Sequence, residues 1–312
     1  MSSRAARCAA VVLCLASAGP AAPFAQDAPW WSALPRAVYR DLERVPVESP
    51  WFEVYRVGPG TTAFYEPGHW QEAISYLVEG RDRAVLFDTG LGIGDIKAVV
   101  DQLTSRPVLV VNSHEHFDHV GGDRQFSEVA VADSAAALAR LARGTGSLAA
   151  EITSETVWKP LPPGFDRAAY ATPPITPTRR LRDGERIELG GRTLEVILTP
   201  GHTPGSLCLI DREHRQLFTG DTLYPAELYA HAPESSLADY VRSAARLGAL
   251  ADAVDVVHPG HNEATAPVSL LRRFARAFAA IGRGDAAATS ARPGVVRYES
   301  EGIVVLAREP KR

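Results

Sequence analysis

The sequence contains no run of basic residues and no long run of apolar ones. Lysine and arginine number 33 against 37 aspartate and glutamate residues, so the formal charge is −4 over 312 residues. A chain of this charge is not expected to track the phosphates of a nucleic acid. The apolar run at residues 8–18 is about half as long as the roughly 20 residues that a membrane-spanning helix requires.

Residues 1–25 have the pattern of a secretory signal peptide. Arg4 and Arg7 precede the apolar run, and small residues and prolines follow it. We expect cleavage after Ala18 or after Ala25, and a mature protein that is secreted or periplasmic with no stable insertion in a membrane. An uncleaved membrane anchor is the alternative. Residues 26–50 would then be an N-terminal extension ahead of one folded domain at 51–312.

Cysteine is also scarce, with three residues in the chain. Cys8 and Cys14 fall in the expected signal peptide, and Cys208, which lies between two leucines, is predicted to be a core residue. One cysteine cannot pair within the mature chain, so a disulfide-stapled scaffold is excluded. With 46% hydrophobic residues, the chain can build a sizeable core instead.

Apolar runs with strand and helix periodicity predict an α/β fold. Strands are expected near residues 51–57, 61–65, 73–79, 84–88, 107–112, 128–132, 185–189, 193–198, 206–210, 216–219 and 254–257, with a terminal hairpin at 295–306. Helices are expected at 95–103, 134–141, 237–250 and 268–281, the third with Ser236 as its N-cap. The proline-rich residues 144–180 are predicted to be an irregular insertion. Strands followed by helices, given twice, indicate two sheets packed face to face with helices outside.

The nine histidines are unevenly distributed, and three of them fall within six residues. His114, His116, Asp118 and His119 directly follow the predicted strand at 107–112. Imidazole nitrogens and carboxylate oxygens are ligands that Zn²⁺ binds well. Without a bound metal, nothing would stabilise so many of these side chains close together on one loop. The histidine cluster at 114–119 therefore predicts a metal site.

Three further candidate ligands stand where other predicted strands end. His202, Asp221 and His261 each come directly after a glycine. Glycine allows the backbone to turn so that the next side chain points across a cleft. A single histidine at a strand end is more often a hydrogen-bonded polar residue than a ligand. Together with the histidine cluster, however, these three residues are predicted to bind metal.

Asp88, in the sequence Phe-Asp-Thr-Gly at 87–90, completes a set of five motifs in order along the chain. From about residue 50 to residue 283, the chain resembles the metallo-β-lactamase superfamily. The resemblance implies an αββα sandwich, in which two mixed sheets pack face to face with helices outside. It also implies a dinuclear zinc site at one edge of the sandwich, with two Zn²⁺ per chain.

The resemblance also implies a role for each of these residues. His114, His116 and His202 would hold one zinc ion, Asp118, His119 and His261 would hold the other, and Asp221 would bridge them. Asp88 would orient ligands through hydrogen bonds without touching a metal. The reaction implied is attack on the substrate by a hydroxide shared between the two ions, with Asp118 relaying a proton.

The substrate class is narrowed by differences within the superfamily. Position 221 is Asp, where the zinc β-lactamases carry Cys or Ser, and position 116 is His, where the iron flavoproteins carry Glu. Tyr224 stands at the spacing at which acyl-homoserine lactonases place a tyrosine against the substrate carbonyl, so it is a candidate catalytic oxyanion donor. Packing under the loop is the alternative. Stretches at 64–66, 86–92, 205–209 and 259–262 are similar to acyl-coenzyme A hydrolases of the superfamily.

These features predict a zinc-dependent hydrolase that cleaves an ester, thioester or lactone of a small acyl substrate. An exported enzyme would rarely meet coenzyme A, so the leaving group stays open, as does the oligomeric state. A β-lactamase acting on β-lactam amides and a non-catalytic metal-binding protein are the alternatives. His69, Trp70, Trp158 and His231 are candidates for the substrate pocket, with surface or packing roles as alternatives.

Overall fold

The computed structural model describes residues 29–309. The expected signal peptide at 1–25 lies outside these residues. Residues from Leu34 onward form one compact unit, and ahead of it Trp30–Ala33 forms a 3₁₀ turn. Within the described range, no helix is both long and apolar enough to cross a membrane.

The first sheet has eight strands in sequential order. They are β1 (Glu43–Arg44), β2 (Glu53–Gly58), β3 (Thr61–Tyr65), β4 (Ile74–Glu79), β5 (Ala84–Phe87), β6 (Val108–Val111), β7 (Val129–Ala132) and β8 (Arg179–Leu181). The pairing is antiparallel from β1 to β5 and parallel from β5 to β8. Because β1 joins this sheet and Tyr39 stacks on Tyr65 with ring centroids 4.3 Å apart, the domain begins ahead of the predicted boundary at residue 51.

The second sheet has six strands in the order β15-β14-β12-β11-β10-β9. They are β9 (Arg186–Glu188), β10 (Thr193–Leu198), β11 (Leu207–Asp211), β12 (Gln216–Gly220), β14 (Val256–Pro259) and β15 (Ala266–Pro267).

A third sheet, which the sequence did not predict, has four strands in the order β13-β18-β17-β16. They are β13 (Leu228–Ala230), β16 (Ala287–Arg292), β17 (Val295–Ser300) and β18 (Ile303–Arg308). The expected terminal hairpin corresponds to β17 and β18. The strand β16 escaped prediction because it consists of small and polar residues, all of them exposed.

Residues 29–309 form five α-helices. They are α1 (Ile96–Leu103), α2 (Phe117–Val120), α3 (Ala135–Arg143), α4 (Leu237–Gly248) and α5 (Val268–Arg283). The side chains of Asp95, Ser134 and Ser236 accept hydrogen bonds from main-chain N–H groups at the starts of α1, α3 and α4, which confirms Ser236 as an N-cap.

Apolar side chains fill the layers between these elements. Tyr76, Phe87, Leu209 and Phe218 lie between the first and second sheets. Side chains of α4 and α5 bury the outer face of the second sheet, and those of α1 and α3 bury the outer face of the first. The four layers confirm the predicted αββα sandwich, and Cys208 is fully buried within it, as expected.

Candidate metal centre

The directions of the strands bring the expected ligands to one edge of the sandwich. β10, β12 and β14 run in the same direction, because β11 is antiparallel to both its neighbours and β12 is parallel to β14. Their carboxyl ends therefore share one edge, where His202, Asp221 and His261 follow them. In the first sheet, the parallel strands β5 and β6 lead to Asp88 and to the histidine cluster at 114–119.

Asp221 lies at the centre of this group. Its Oδ1 is 3.1 Å from His119 Nε2 and 2.9 Å from His261 Nε2. Its Oδ2 is 3.5 Å from His202 Nε2 and 4.0 Å from His114 Nε2. The carboxylate thus faces a different pair of histidines through each oxygen.

Three sets of side chains bring their ligand atoms within 4.8 Å of one another. The sets are His114 with His116 and His202, His114 with His119 and Asp221, and Asp118 with His119 and His261. In the third set, Asp118 Oδ2 is 3.8 Å from both histidine Nε2 atoms. The first and third sets are the two groups that the resemblance assigned to separate zinc ions.

The protein holds the outward ring nitrogen of each histidine. Two rings meet main-chain carbonyls: His202 Nδ1 is 2.8 Å from Tyr229 O, and His261 Nδ1 is 2.7 Å from Gln71 O. Two meet carboxylates: His119 Nδ1 is 2.8 Å from Asp88 Oδ2, and His116 Nε2 is 3.2 Å from Glu234 Oε1. His114 Nδ1 is 3.0 Å from the hydroxyl oxygen of Ser113. Carbonyl and carboxylate oxygens only accept, so a ring nitrogen bonded to one of them carries the proton. In the neutral rings, the opposite nitrogen then presents a lone pair to the cluster.

These lone pairs point towards one another. His116 Nδ1 is 3.0 Å from His202 Nε2, and His119 Nε2 is 3.2 Å from His261 Nε2. Two lone pairs at such distances repel unless a proton or a metal cation lies between them. His114 Nε2 is also buried and has no hydrogen-bond partner among residues 29–309. The residues therefore fit a divalent cation, and the mixture of imidazole and carboxylate ligands fits Zn²⁺.

Asp221 dominates the electrostatics of the cluster. Burial opposes ionisation of its carboxyl, but His261 and His119 outweigh burial and hold its pKa well below the usual value. Burial likewise opposes the charge of His119, yet Asp221 and Asp88 raise the pKa of that ring well above its usual value. Burial lowers the pKa of His202 to about 4. A ring with this pKa is neutral at pH 7, as metal binding requires.

Two carboxylates outside the ligand sets orient histidines. Asp88 accepts from Ser113 N at 2.6 Å as well as from His119, which is the place that the resemblance implied for it. Glu234 accepts from Arg140 Nη1 at 2.5 Å as well as from His116, and the hydrogen bond with His116 is the main reason why the pKa of Glu234 falls to about 2. Sequence reasoning missed Glu234, because it lies in a loop with no motif around it.

His69 is buried and does not lie on the surface. Its side chain is fully buried, Nε2 lies 3.0 Å from Glu151 O, and Nδ1 accepts from Gln71 N at 3.2 Å. Nearby, Trp158 Nε1 donates to Pro67 O at 2.6 Å, and Trp70 is 37% exposed. These contacts join the turn before β4 to the insertion and exclude the surface alternative for His69, while its place in the substrate pocket stays a prediction.

The hydrogen bonds of Tyr224 and His231 do not point to the cluster. The ring of Tyr224 packs against His261 with centroids 5.2 Å apart, while its hydroxyl donates to Glu227 O at 2.7 Å. His231 Nε2 accepts from Arg292 Nη2 at 2.7 Å, so this ring faces the third sheet. With this hydrogen bond in place Tyr224 matches the packing alternative, and an oxyanion role would require its hydroxyl to leave Glu227 O.

The structure is an αββα sandwich with a set of candidate metal ligands at one edge of its sheets. Residues 73–269 match the family profile described as "Metallo-beta-lactamase superfamily". The chain belongs to this superfamily.

Similar proteins include acyl-coenzyme A thioesterases. The chain is 38% identical to the acyl-coenzyme A thioesterase MBLAC2 of Gallus gallus over 226 residues, which are 68% of this chain and 80% of that protein. It is 36% identical to the Homo sapiens protein of the same name over 213 residues, 64% of this chain and 75% of that protein. A solved metallo-beta-lactamase from Cronobacter sakazakii shares the fold at 23% identity, with a TM-score of 0.51 over 77% of this chain and 96% of that one.

Proposed function

We propose that the chain is a zinc-dependent hydrolase that cleaves acyl thioesters, with acyl-coenzyme A esters as the substrate class. The similarity to acyl-coenzyme A thioesterases over 80% of the Gallus gallus protein carries this proposal. The converging lone pairs of the histidines support it, because they are arranged to bind metal ions. An enzyme of this kind needs no serine or cysteine nucleophile, and Cys208 is unsuited to be one, since burial raises its pKa to about 11.

Two groups of residues would hold the metal ions. His114, His116 and His202 would hold one, Asp118, His119 and His261 would hold the other, and Asp221 would contact both. When bound, zinc supplies a Lewis acid that activates water and polarises a carbonyl near neutral pH. Asp88 and Glu234 would keep the rings of His119 and His116 in the tautomers that leave the inner nitrogens free to bind.

Asp118 is the residue proposed to move a proton. Its side chain is 6% exposed and lies beside the Nε2 atoms of His119 and His261. A carboxylate in this place can accept a proton from the attacking water and return it to the leaving group. A thiol has a pKa of about 8.5, so the thiolate that leaves a thioester is a much weaker base than an amide anion. Cleavage of a thioester therefore depends less on proton transfer from Asp118 to the leaving group than cleavage of a β-lactam amide does.

The test is a hydrolysis panel with the zinc-loaded protein. The substrates are an acyl-coenzyme A, an acyl-homoserine lactone, an aryl ester and a chromogenic β-lactam, with Asp118→Ala as the blank. We expect the acyl-coenzyme A to be turned over fastest, and a chelator to abolish the activity. Faster turnover of the β-lactam or the lactone would replace the proposed substrate class, and no turnover by a zinc-loaded protein would favour the non-catalytic alternative.

We also propose that the protein is exported, on the amino-terminal sequence alone. Fractionation of cells that express the full chain, followed by mass spectrometry of the amino terminus, tests this. We expect a chain that starts at residue 19 or 26 in the exported fraction. A full-length chain in the cytoplasm would overturn export and would also remove the objection that an exported enzyme rarely meets coenzyme A.

A further inference from the structure

The third sheet turns one face to the core and the other face outward. Leu228, Ala230, Val305 and Ala307 are buried in the core. Because side chains alternate along a strand, Tyr229, Leu306 and Arg308 lie on the outer face. His231, which follows β13 directly, continues this alternation on the same face.

The strand registers place two arginines in one row on that face. Arg292 of β16 is opposite Val295 of β17, and Val295 is opposite Arg308 of β18. Ala230 is opposite Ala307, so His231 comes next to Arg308. We call these residues, His231, Arg308, Val295 and Arg292, the arginine row. The hydrogen bond of 2.7 Å between Arg292 Nη2 and His231 Nε2 shows that the Arg292 side chain reaches along the row towards β13.

The two arginines of the row have no acidic partner. Within residues 29–309, no carboxylate lies within 4.0 Å of the guanidinium nitrogens of Arg292 or Arg308. Arg308 Nη2 donates to Pro233 O and Ser235 O at 2.8 and 3.0 Å, and each guanidinium has five N–H donors. The nearby carboxylates of Glu227 and Glu299 are both bound to Arg297. The row is therefore a concentration of uncompensated positive charge in a chain of net negative charge.

The arginine row adjoins the metal centre through residues 229–236. Tyr229 O and Glu234 hold the ligands His202 and His116, and His231 lies between them in sequence. The Tyr229 and His231 rings are in contact, with centroids 5.2 Å apart. The pKa of Tyr229 is raised first by burial and then by Glu227 and Asp221, and it is lowered by Arg292. Its phenol is thus within electrostatic range of both the metal centre and the row.

We propose that the arginine row binds the phosphate groups of the coenzyme A part of the substrate. This inference rests on the proposed function and names the part of the substrate that the third sheet would recognise. Arginine matches phosphate oxygens with paired, charge-assisted hydrogen bonds. The arm that joins the thioester sulfur of coenzyme A to its diphosphate is about as long as four or five extended residues, roughly 15 Å. The proposal is that this arm runs from the metal centre past Tyr229 to the row.

The first test compares two thioesters of the same acyl group. Acyl-coenzyme A carries the phosphates, whereas the acyl ester of N-acetylcysteamine lacks them. For Arg292→Gln/Arg308→Gln, we expect the ratio of kcat/KM for the two substrates, acyl-coenzyme A over the short ester, to fall about tenfold or more, since charge-assisted hydrogen bonds are lost. The loss should appear in KM. The control Arg40→Gln/Arg143→Gln removes two other exposed arginines and the same charge, and it should keep the wild-type ratio.

The single variant Arg292→Gln guards against a folding effect, because Arg308 also supports the main chain at 233–235 while Arg292 is exposed. It should lower the ratio in the same direction. A row variant that retains the wild-type ratio, or a control that lowers it equally, overturns the inference.

A second measurement does not depend on catalysis. Calorimetry with adenosine 3′,5′-bisphosphate should detect binding to the wild-type protein and a loss of affinity of about tenfold or more in the row variants. Equal affinities, or no binding to the wild type, overturn the inference. If the wild type hydrolyses neither thioester but binds the bisphosphate through the row, then the proposed function fails while the phosphate site stands.

Discussion

The strands β11 and β12 have buried titratable side chains at both of their ends. At one end, His202 precedes β11 and Asp221 follows β12. At the other end, Asp211 closes β11 and pairs with Arg192 at 2.7 Å, with side chains that are 0% and 4% exposed. The other guanidinium nitrogens of Arg192 donate to Pro59 O, Gly60 O, Glu79 O and Thr61 Oγ1 at 2.9 to 3.2 Å.

The two ends differ in where the positive charge comes from. The Arg192 end contains its own cation, and each guanidinium nitrogen donates to at least one acceptor of the chain. The Asp221 end gathers carboxylates and the lone pairs of imidazoles, and its own hydrogen-bond donors point outward to Asp88, Glu234 and main-chain carbonyls. A buried polar cluster whose acceptors converge without donors needs a cation from solution. This difference separates a binding site from a structural ion pair of similar burial.

The largest effect is expected when the carboxylate of Asp221 is removed. For Asp221→Ala, the zinc content should fall towards one ion per chain, and kcat/KM should fall about a thousandfold or more, since several kcal/mol of metal-assisted catalysis are lost. Elemental analysis of dialysed protein measures the zinc. Asp211→Ala is the matched control at the other end, and its folded fraction should keep the wild-type zinc content. Two zinc ions in Asp221→Ala would contradict the bridging role.

The next effect concerns folding at the opposite end. Arg192→Met leaves the buried Asp211 with His214 as its remaining partner, through the ring Nδ1 at 2.9 Å and the main-chain N–H at 3.0 Å, so the free energy of unfolding should drop by up to about 3–5 kcal/mol. Urea denaturation measures this. Arg212→Met breaks an exposed ion pair with Glu195 on the same sheet and should cost about 1 kcal/mol or less. Zinc should not restore the Arg192 variant, and full recovery with zinc would show that the two ends are not independent.

A third buried carboxyl, that of Asp123, has no ion pair with an arginine within residues 29–309. Asp123 accepts from Thr89 Oγ1 and Asn112 Nδ2, and burial raises its pKa from 3.8 to about 7. The folded state binds its proton more tightly than the unfolded state does. Its contribution to stability is therefore full below pH 3.8 and is lost as the pH rises through about 7.

The measurement is the free energy of unfolding of wild type and Asp123→Asn from pH 5 to pH 8. The wild type should lose roughly 1.4 kcal/mol more than the variant for each pH unit up to about 7. Parallel pH profiles for the two proteins would contradict the assignment. Asp166→Asn, at an exposed aspartate, should follow the wild type.

A smaller effect is expected from the carboxylate that orients His116. Glu234→Ala removes the carboxylate that accepts the Nε2 proton of His116, so metal affinity should fall about 10- to 100-fold. Competition with a chromogenic chelator measures the affinity. Glu128→Ala, which breaks an exposed ion pair with Arg83, should leave it unchanged. An unchanged affinity in the Glu234 variant would mean that the ring of His116 is held by its neighbours alone.

Much of the fold, and the histidine cluster at 114–119, could be predicted because both depend on patterns that are local in sequence. The apolar periodicity gave the sandwich, and the spacing of His114, His116, Asp118 and His119 indicated metal. Contacts between distant segments leave no such pattern. Glu234 reaches His116 across 118 positions, and His69 is fixed by a carbonyl of the insertion. The strand β16 lacks the apolar residues by which strands are recognised.

Tyr224 shows the same limit and has the smallest expected effect. The sequence placed this residue near the substrate carbonyl, but only the structure shows that its hydroxyl donates to Glu227 O at 2.7 Å. Tyr224→Phe should therefore keep both zinc ions and lower kcat less than about threefold, because the lost proton is held by the main chain. Steady-state kinetics on the thioester, with zinc analysis of the same sample, measures this. A drop of about a hundredfold or more with full zinc content would match the loss of an oxyanion donor, and it would mean that the hydroxyl turns from Glu227 to the substrate during the reaction.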